Sequence, residues 1–297
     1  MSEPISVAVE PTNPGQFFAC CGLLELTDRL WKGAEGWFEN TAFCLRPTSI
    51  VEDATSTGLF SHLTSCRLTN TMTTEQEERL KELSAMKGNV RAKTPGLDEE
   101  KKDLEKLRRE EPILFCAPFH LRLDWFHDDL AGGSRFKTWA GQQSVLEIAS
   151  SMKKALESAD WQTRPPEDWL THSVSGCGLP FNFDSDLGGQ GSALDVGFSF
   201  DPLAGSSLTR IEATARPCLE LLAFAGLQRF RPRQIEKDNR YLYCTWNRPL
   251  TPAIAAPAAC GMLPVAEAPM FEFRLLYRTK YLKSFLPAIP FTGDFNE

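Results

Sequence analysis

Histidine is scarce in this sequence, with four residues in 297, at positions 62, 120, 127 and 172. That scarcity removes the commonest acid–base group and metal ligand from most of the chain. His120 and His127 stand near Asp124, Asp128 and Asp129, from which a metal-dependent nuclease site can be drawn on paper. Their spacing matches no zinc or two-metal pattern. On a strand, His120 and Asp124 would share a face and His127 would fall on the other. No metal is expected. Gly-x-Ser-x-Gly, phosphate-loop and helicase motifs are also missing, and Gly188-Gly189-Gln190-Gly191 precedes no Lys-Ser/Thr pair. No cofactor and no catalytic residue are therefore expected. Asp184, Asp186, Asp195 and Asp201 read as turn residues that bond locally rather than as catalytic carboxylates.

Long apolar runs are absent too, since nothing approaches the roughly 18 residues of a membrane span. Met1-Ser2-Glu3-Pro4 has neither the basic nor the apolar region of a signal peptide. A cytoplasmic protein that does not meet a membrane is the expectation. The nine cysteines are scattered and form no Cys-x-x-Cys pair, so they read as reduced, small apolar side chains rather than zinc ligands or disulfides.

What is present suffices for a sizeable core: 42% of residues are hydrophobic and 10% aromatic. Net charge is −7, but its distribution is uneven. Between Arg210 and Lys283 stand twelve Lys/Arg against six Asp/Glu, which leaves 20 basic against 33 acidic residues elsewhere. One basic face on an acidic body fits a defined groove for nucleic acid, or a face that docks on an acidic protein.

Ile5 to Val9 alternates as a strand, and Asn13-Pro14-Gly15-Gln16 then supplies a cap, a first-turn proline and a capping-box glutamine. The helix that follows runs to about Trp31, with an apolar face broad enough for burial, and Trp37 to Arg46 reads as a second strand. This is an opening strand–helix–strand unit. Residues 73–111 hold eleven acidic and ten basic side chains and read as two exposed helices, a charged helical insertion. Further strands are expected over Ile113–Phe126, Val196–Phe200, Tyr241–Trp246 and Met270–Tyr277, with helices over Trp139–Ser158 and Arg216–Phe230. The class is α+β, a mixed or antiparallel sheet with buried helices. It is organised as one domain over 1–297 or as two lobes, 1–160 and 161–297.

Binding chemistry is better represented than catalysis. Gln228-Arg229-Phe230-Arg231-Pro232-Arg233 interleaves three guanidinium groups with an aromatic ring at a helix end. Guanidinium forks suit phosphates and rings suit unpaired bases, although arginines there also favour the helix dipole. Arg240 and Arg248 extend the phosphate-binding set. In Phe136-Lys137-Thr138-Trp139-Ala140-Gly141-Gln142-Gln143-Ser144, Lys137 can hold a phosphate and Gln142 or Gln143 can read base edges. Asn182 and Gln190, in a glycine-rich region, are candidates for finer readout.

Four stretches together carry a family resemblance: Asn13 to Glu25, Leu123-Asp124-Trp125, Lys137 to Gln143, and Leu221 to Pro232. They look like a CRISPR-associated large-subunit-like family of the subtype I-U systems, partly renamed I-G. The resemblance implies a non-catalytic member of an RNA-guided surveillance complex, near the 5′ region of the guide RNA. It implies recognition of the protospacer-adjacent motif in double-stranded target DNA, duplex opening, contact with backbone and guide-end subunits, and a helicase-nuclease recruited afterwards to cut. Many large subunits are longer and end in a helical bundle, whereas this tail reads as strand and coil. Two other readings stand beside it. One is a guide-RNA-processing endoribonuclease of ferredoxin-like type, compatible with the opening unit. The other is a structural adaptor without nucleic-acid contact.

Overall fold

The structure is a computed structural model that describes residues 3–52, 54–88, 94–127, 134–139, 143–188, 214–235, 239–263, 268–277 and 283–292. The expected strand over Val196–Phe200 lies outside these residues. After β1 (Ile5–Ala8), the Asn13 side chain accepts from the Gln16 N–H at 3.3 Å and Pro14 opens α1 (Pro14–Trp31). The capping box is re-routed, because the Gln16 carboxamide oxygen accepts from the Glu10 N–H at 2.7 Å. Every residue of α1 from Pro14 to Thr27 is buried.

The expected second strand is a hairpin, β2 (Ala34–Glu39) and β3 (Ala42–Pro47), that turns at Asn40 with φ of 53°. Asparagine is among the few residues that enter this left-handed region readily. β1 pairs antiparallel with β3, giving the order β1-β3-β2.

After α2 (Ser56–Ser65) comes β4 (Leu68–Asn70). The chain then leaves as α3 (Thr74–Ala85), returns as α4 (Leu97–Glu110) and enters β5 (Ile113–Phe115), the antiparallel neighbour of β4. A reciprocal capping box between Thr73 and Gln76 starts α3. Arg79 forks onto both oxygens of Glu100 at 2.8 and 2.9 Å, tying α3 to α4. The strand expected over Ile113–Phe126 is divided into β5 and β6 (Leu121–Leu123), with His120 at φ 48° in the turn between them.

The helix expected from Trp139 begins later, as α5 (Val145–Ala155), because the Ser144 hydroxyl caps it by accepting from the Glu147 N–H. Short elements follow: α6 (Ala159–Gln162), β7 (Val174–Ser175), α7 (Ser185–Gly188) and β8 (Thr214–Ala215). The buried helix expected near 216 is α8 (Pro217–Gly226).

The last third holds β9 (Arg233–Ile235), β10 (Arg240–Cys244), α9 (Pro252–Ala259), β11 (Met270–Tyr277), β12 (Lys283–Phe285) and β13 (Ile289–Pro290). Helix α9 carries Pro252 in its first turn, where a missing N–H leaves no intrahelical bond unmade. The strands make an antiparallel sheet in the order β12-β11-β10-β9, and β13 pairs with β11. The fold is α+β.

Helix α1 is the centre of the core. Phe17 stacks on Tyr243 of β10 at 4.3 Å between centroids and on Phe38 of β2 at 5.6 Å, so it joins the two sheets. Phe18 meets Phe273 and Phe285 edge-on. On another side α1 crosses α8 at Gly22 and Gly226. A Cβ on Gly22 would stand 2.0 Å from the Leu222 carbonyl oxygen, and one on Gly226 2.1 Å from that of Phe18. Only glycine allows backbones this close.

Candidate nucleic-acid interface

The residues that are most recognisable in the sequence meet in the interior. The Trp125 indole N–H donates to the Phe224 carbonyl at 3.0 Å, and Trp139 stands edge-on to Trp125 at 5.8 Å. The Gln228 carboxamide oxygen accepts the N–H groups of Asp124 and Trp125 at 2.9 and 3.1 Å, and its nitrogen donates to the Asp124 carboxylate at 2.9 Å. These side chains hold α8, β6 and the 139 region together. Nothing in the sequence assigns Gln228 this role; its position one residue before the arginines is the only hint of one.

Asp184 does more than form a turn. It accepts from the Asp186 N–H at 3.1 Å, as a turn aspartate does, but it is also 2% exposed. The Asn13 amide donates to it at 2.8 Å, and Arg216 lies 3.2 Å away. Beside it the Glu220 carboxylate accepts the N–H groups of Phe183 and Asp184, both at 3.1 Å. Burial, and then the Asp184 charge, push Glu220 up to about 8. This node fixes the 183–185 segment to the first turns of α1 and α8. Asp195 and Asp201 lie outside the described residues.

The histidines do not converge. His120 sits in the β5–β6 turn, where its carbonyl accepts from Arg29 at 2.9 Å. The His127 ring lies against Phe126 at 4.2 Å, and His172 pairs with Asp160 at 3.3 Å. Asp128 and Asp129 lie outside the described residues. Among the described residues no group of three or more His, Cys, Asp or Glu is arranged to hold a metal ion.

The expected phosphate-binding arginines divide into three settings. Arg229 is ion-paired to Glu25, a carboxylate only 2% exposed, which also receives Arg29 at 2.7 Å. Arg231 and Arg233 are exposed. Arg233, on β9, lies opposite Leu242, which in turn lies opposite Glu272; Arg240 of β10 lies opposite Arg274 of β11. Side chains alternate across a strand, so these residues share the face turned away from Tyr241, Tyr243, Phe271 and Phe273. Glu272 stands 3.2 Å from Arg240 and 3.8 Å from Arg274. Two guanidinium groups thus flank one carboxylate, and Arg233 stands on the same face two strands away from it. Arg274, with a side chain 64% exposed, is absent from the sequence-based set because its strand reads as structural.

Arg248 is exposed but lies past the far end of β10, on the stretch where the Trp246 carbonyl accepts from Phe38 and Leu250 bridges Gly36. It is not brought to the same place as Arg240. Asn182 is internal, at 4% exposure and φ 68°, and its carbonyl accepts from the Phe285 N–H at 3.3 Å. It therefore lies in the interior and not at a surface with the arginines. Half-buried Lys137 has its ammonium 5.7 Å from the Trp139 ring centroid. Gln143 is half-buried beside the cap of α5, and Gln142 and Gln190 lie outside the described residues.

No family model, curated protein or solved structure matches this chain. No described helix is long and apolar enough to cross a membrane.

Proposed function

We propose that this chain is a non-catalytic subunit of a CRISPR RNA-guided surveillance complex that contacts target double-stranded DNA and the 5′ region of the guide RNA. The observation that carries the reading is one face of the second sheet, where Arg240 and Arg274 flank Glu272 and Arg233 stands two strands away. Guanidinium groups on adjacent strands, about 5 Å apart across a sheet, can follow a phosphate backbone without reading its sequence. That is the contact a guide-directed particle needs from its protein, since base pairing supplies the sequence specificity. In this role the chain recognises the protospacer-adjacent motif and helps open the duplex, beside backbone and guide-end subunits, before a helicase-nuclease arrives.

The test is a salt titration of DNA binding by the assembled complex. Replacing Arg233, Arg240 and Arg274 with Gln weakens binding and lowers the log–log salt slope by roughly 0.9 for each phosphate no longer neutralised. Binding and slope equal to those of the unaltered complex would remove this face from the interface.

A further inference from the structure

Three cations converge where β11 meets β12, on the opposite side of the second sheet from the guanidinium face. Lys283 lies opposite Tyr277 across the strand pair, with its Nζ 5.4 Å from the tyrosine ring centroid. The same ammonium donates to the Arg135 carbonyl at 2.9 Å, and the Lys283 N–H donates to the Thr138 carbonyl at 3.1 Å. These bonds hold the 135–138 segment, with Arg135 and Lys137, against β12. Burial, then the nearby Lys137 and Arg135 charges, lower the Lys283 ammonium from the ordinary lysine value. Among the described residues, neither Arg135 nor Lys283 has a carboxylate within ion-pair distance; the Arg135 guanidinium meets the Gln234 side-chain oxygen instead. Cations that repel one another in this way gain from a shared anion.

Tyr277 supplies the second half of the observation. Tyr277 is 44% exposed, whereas Tyr241, Tyr243, Phe271, Phe273 and Phe285 on the same side of the sheet are buried. An exposed aromatic side chain beside three cations has the chemistry that holds an unpaired nucleotide. Resting on the nucleic-acid reading above, we infer that Tyr277, Lys283, Arg135 and Lys137 form a subsite for one unpaired nucleotide of a single strand. The base stacks on Tyr277 and its phosphate lies among the three cations. A duplex keeps its bases stacked inside and gains nothing from Tyr277, so this subsite and the guanidinium face take different forms of nucleic acid.

The test uses the full chain and fluorescence anisotropy with labelled oligo-dT, oligo-U and a duplex, each roughly 15 nucleotides long, enough to cover a typical single-strand site. Tyr277→Ala weakens single-strand binding by about tenfold or more, Tyr277→Phe restores it, and duplex binding stays unchanged. Lys283→Gln lowers the single-strand salt slope by about 0.7, and it carries the test if Tyr277→Ala melts early. An effect on oligo-U alone assigns the subsite to guide RNA, and one on oligo-dT alone to an opened DNA strand; either supports it. Single-strand binding untouched in both Tyr277→Ala and Lys283→Gln overturns the subsite. If the Arg233/Arg240/Arg274 variant still loses duplex in that case, the broader reading survives. If the unaltered protein binds neither strand nor duplex, alone or in its complex, both fall together.

Discussion

Arg229 of the arginine-rich stretch donates to Glu25 of α1, a carboxylate that is 2% exposed and also holds Arg29. A residue that reads in the sequence as a phosphate ligand is thus also a strut between two helices. Its side chain is still 41% exposed, so the ion pair sits at the edge of the core rather than within it.

Glu25→Gln leaves two arginines without their shared carboxylate. The expected loss of stability is about 1–3 kcal/mol, below the cost of breaking a fully buried pair because both guanidinium groups reach solvent. Urea unfolding measures it. Arg229→Gln should cost less, since Arg29 still pairs with Glu25, and an equal or larger loss would mean that Arg229 carries the contact alone.

Gly226→Ala places a methyl group 2.1 Å from the Phe18 carbonyl oxygen, where backbone rather than a flexible side chain must move. A loss of about 3 kcal/mol or more is expected, at the upper end for overpacking, with Gly22→Ala similar. A melting temperature unchanged in both variants would show that the helices do not cross there.

Stability should fall with rising pH through the range governed by Glu220. Its carboxyl is pushed up to about 8 by burial and by Asp184, whereas in the unfolded chain it titrates near the ordinary value of about 4.3. The folded state therefore keeps a proton that the unfolded chain has released. This contribution is fully present below the unfolded value and is lost as pH rises through the folded one. Asp184, raised mainly by burial, acts in the same sense. Melting temperatures between about pH 5.5 and 8 should decline, and Glu220→Gln should flatten that decline. An identical slope in the variant would exclude Glu220 as its source.

Gln228→Ala removes the acceptor of the Asp124 and Trp125 N–H groups, and a cost of about 1–3 kcal/mol is expected in thermal or urea unfolding. Its salt-dependent nucleic-acid binding should match that of the unaltered chain, because Gln228 faces β6 and not the guanidinium face. A binding defect without a stability loss would place Gln228 in the interface instead.

The helices that are legible in the sequence are those with local start signals. Asn13-Pro14 fixes the start of α1, and Thr73 with Gln76 fixes that of α3, because caps act on backbone groups a few residues away. The β2–β3 hairpin is not legible, since its turn depends on Asn40 taking a left-handed conformation without a glycine to signal it. The late start of α5 is hidden because Trp139, apolar enough to belong to a helix, packs on Trp125 and Phe181 instead. The grouping of arginines is hidden for a different reason. Arg240 and Arg274 are 34 positions apart, and only the β10–β11 register places them side by side. Register likewise brings Lys283 to Tyr277, whereas Arg248 lies past the end of β10. Sequence proximity joins Arg229 to Arg231 and Arg233, but a buried glutamate on another helix decides what Arg229 does.

The most direct measurement is affinity purification of the tagged chain from its native host, with the bound proteins identified and the bound RNA sequenced. The expected result is a backbone subunit together with uniform, repeat-derived guide RNAs. A monomer recovered free of RNA and of any partner subunit would contradict the surveillance-complex function.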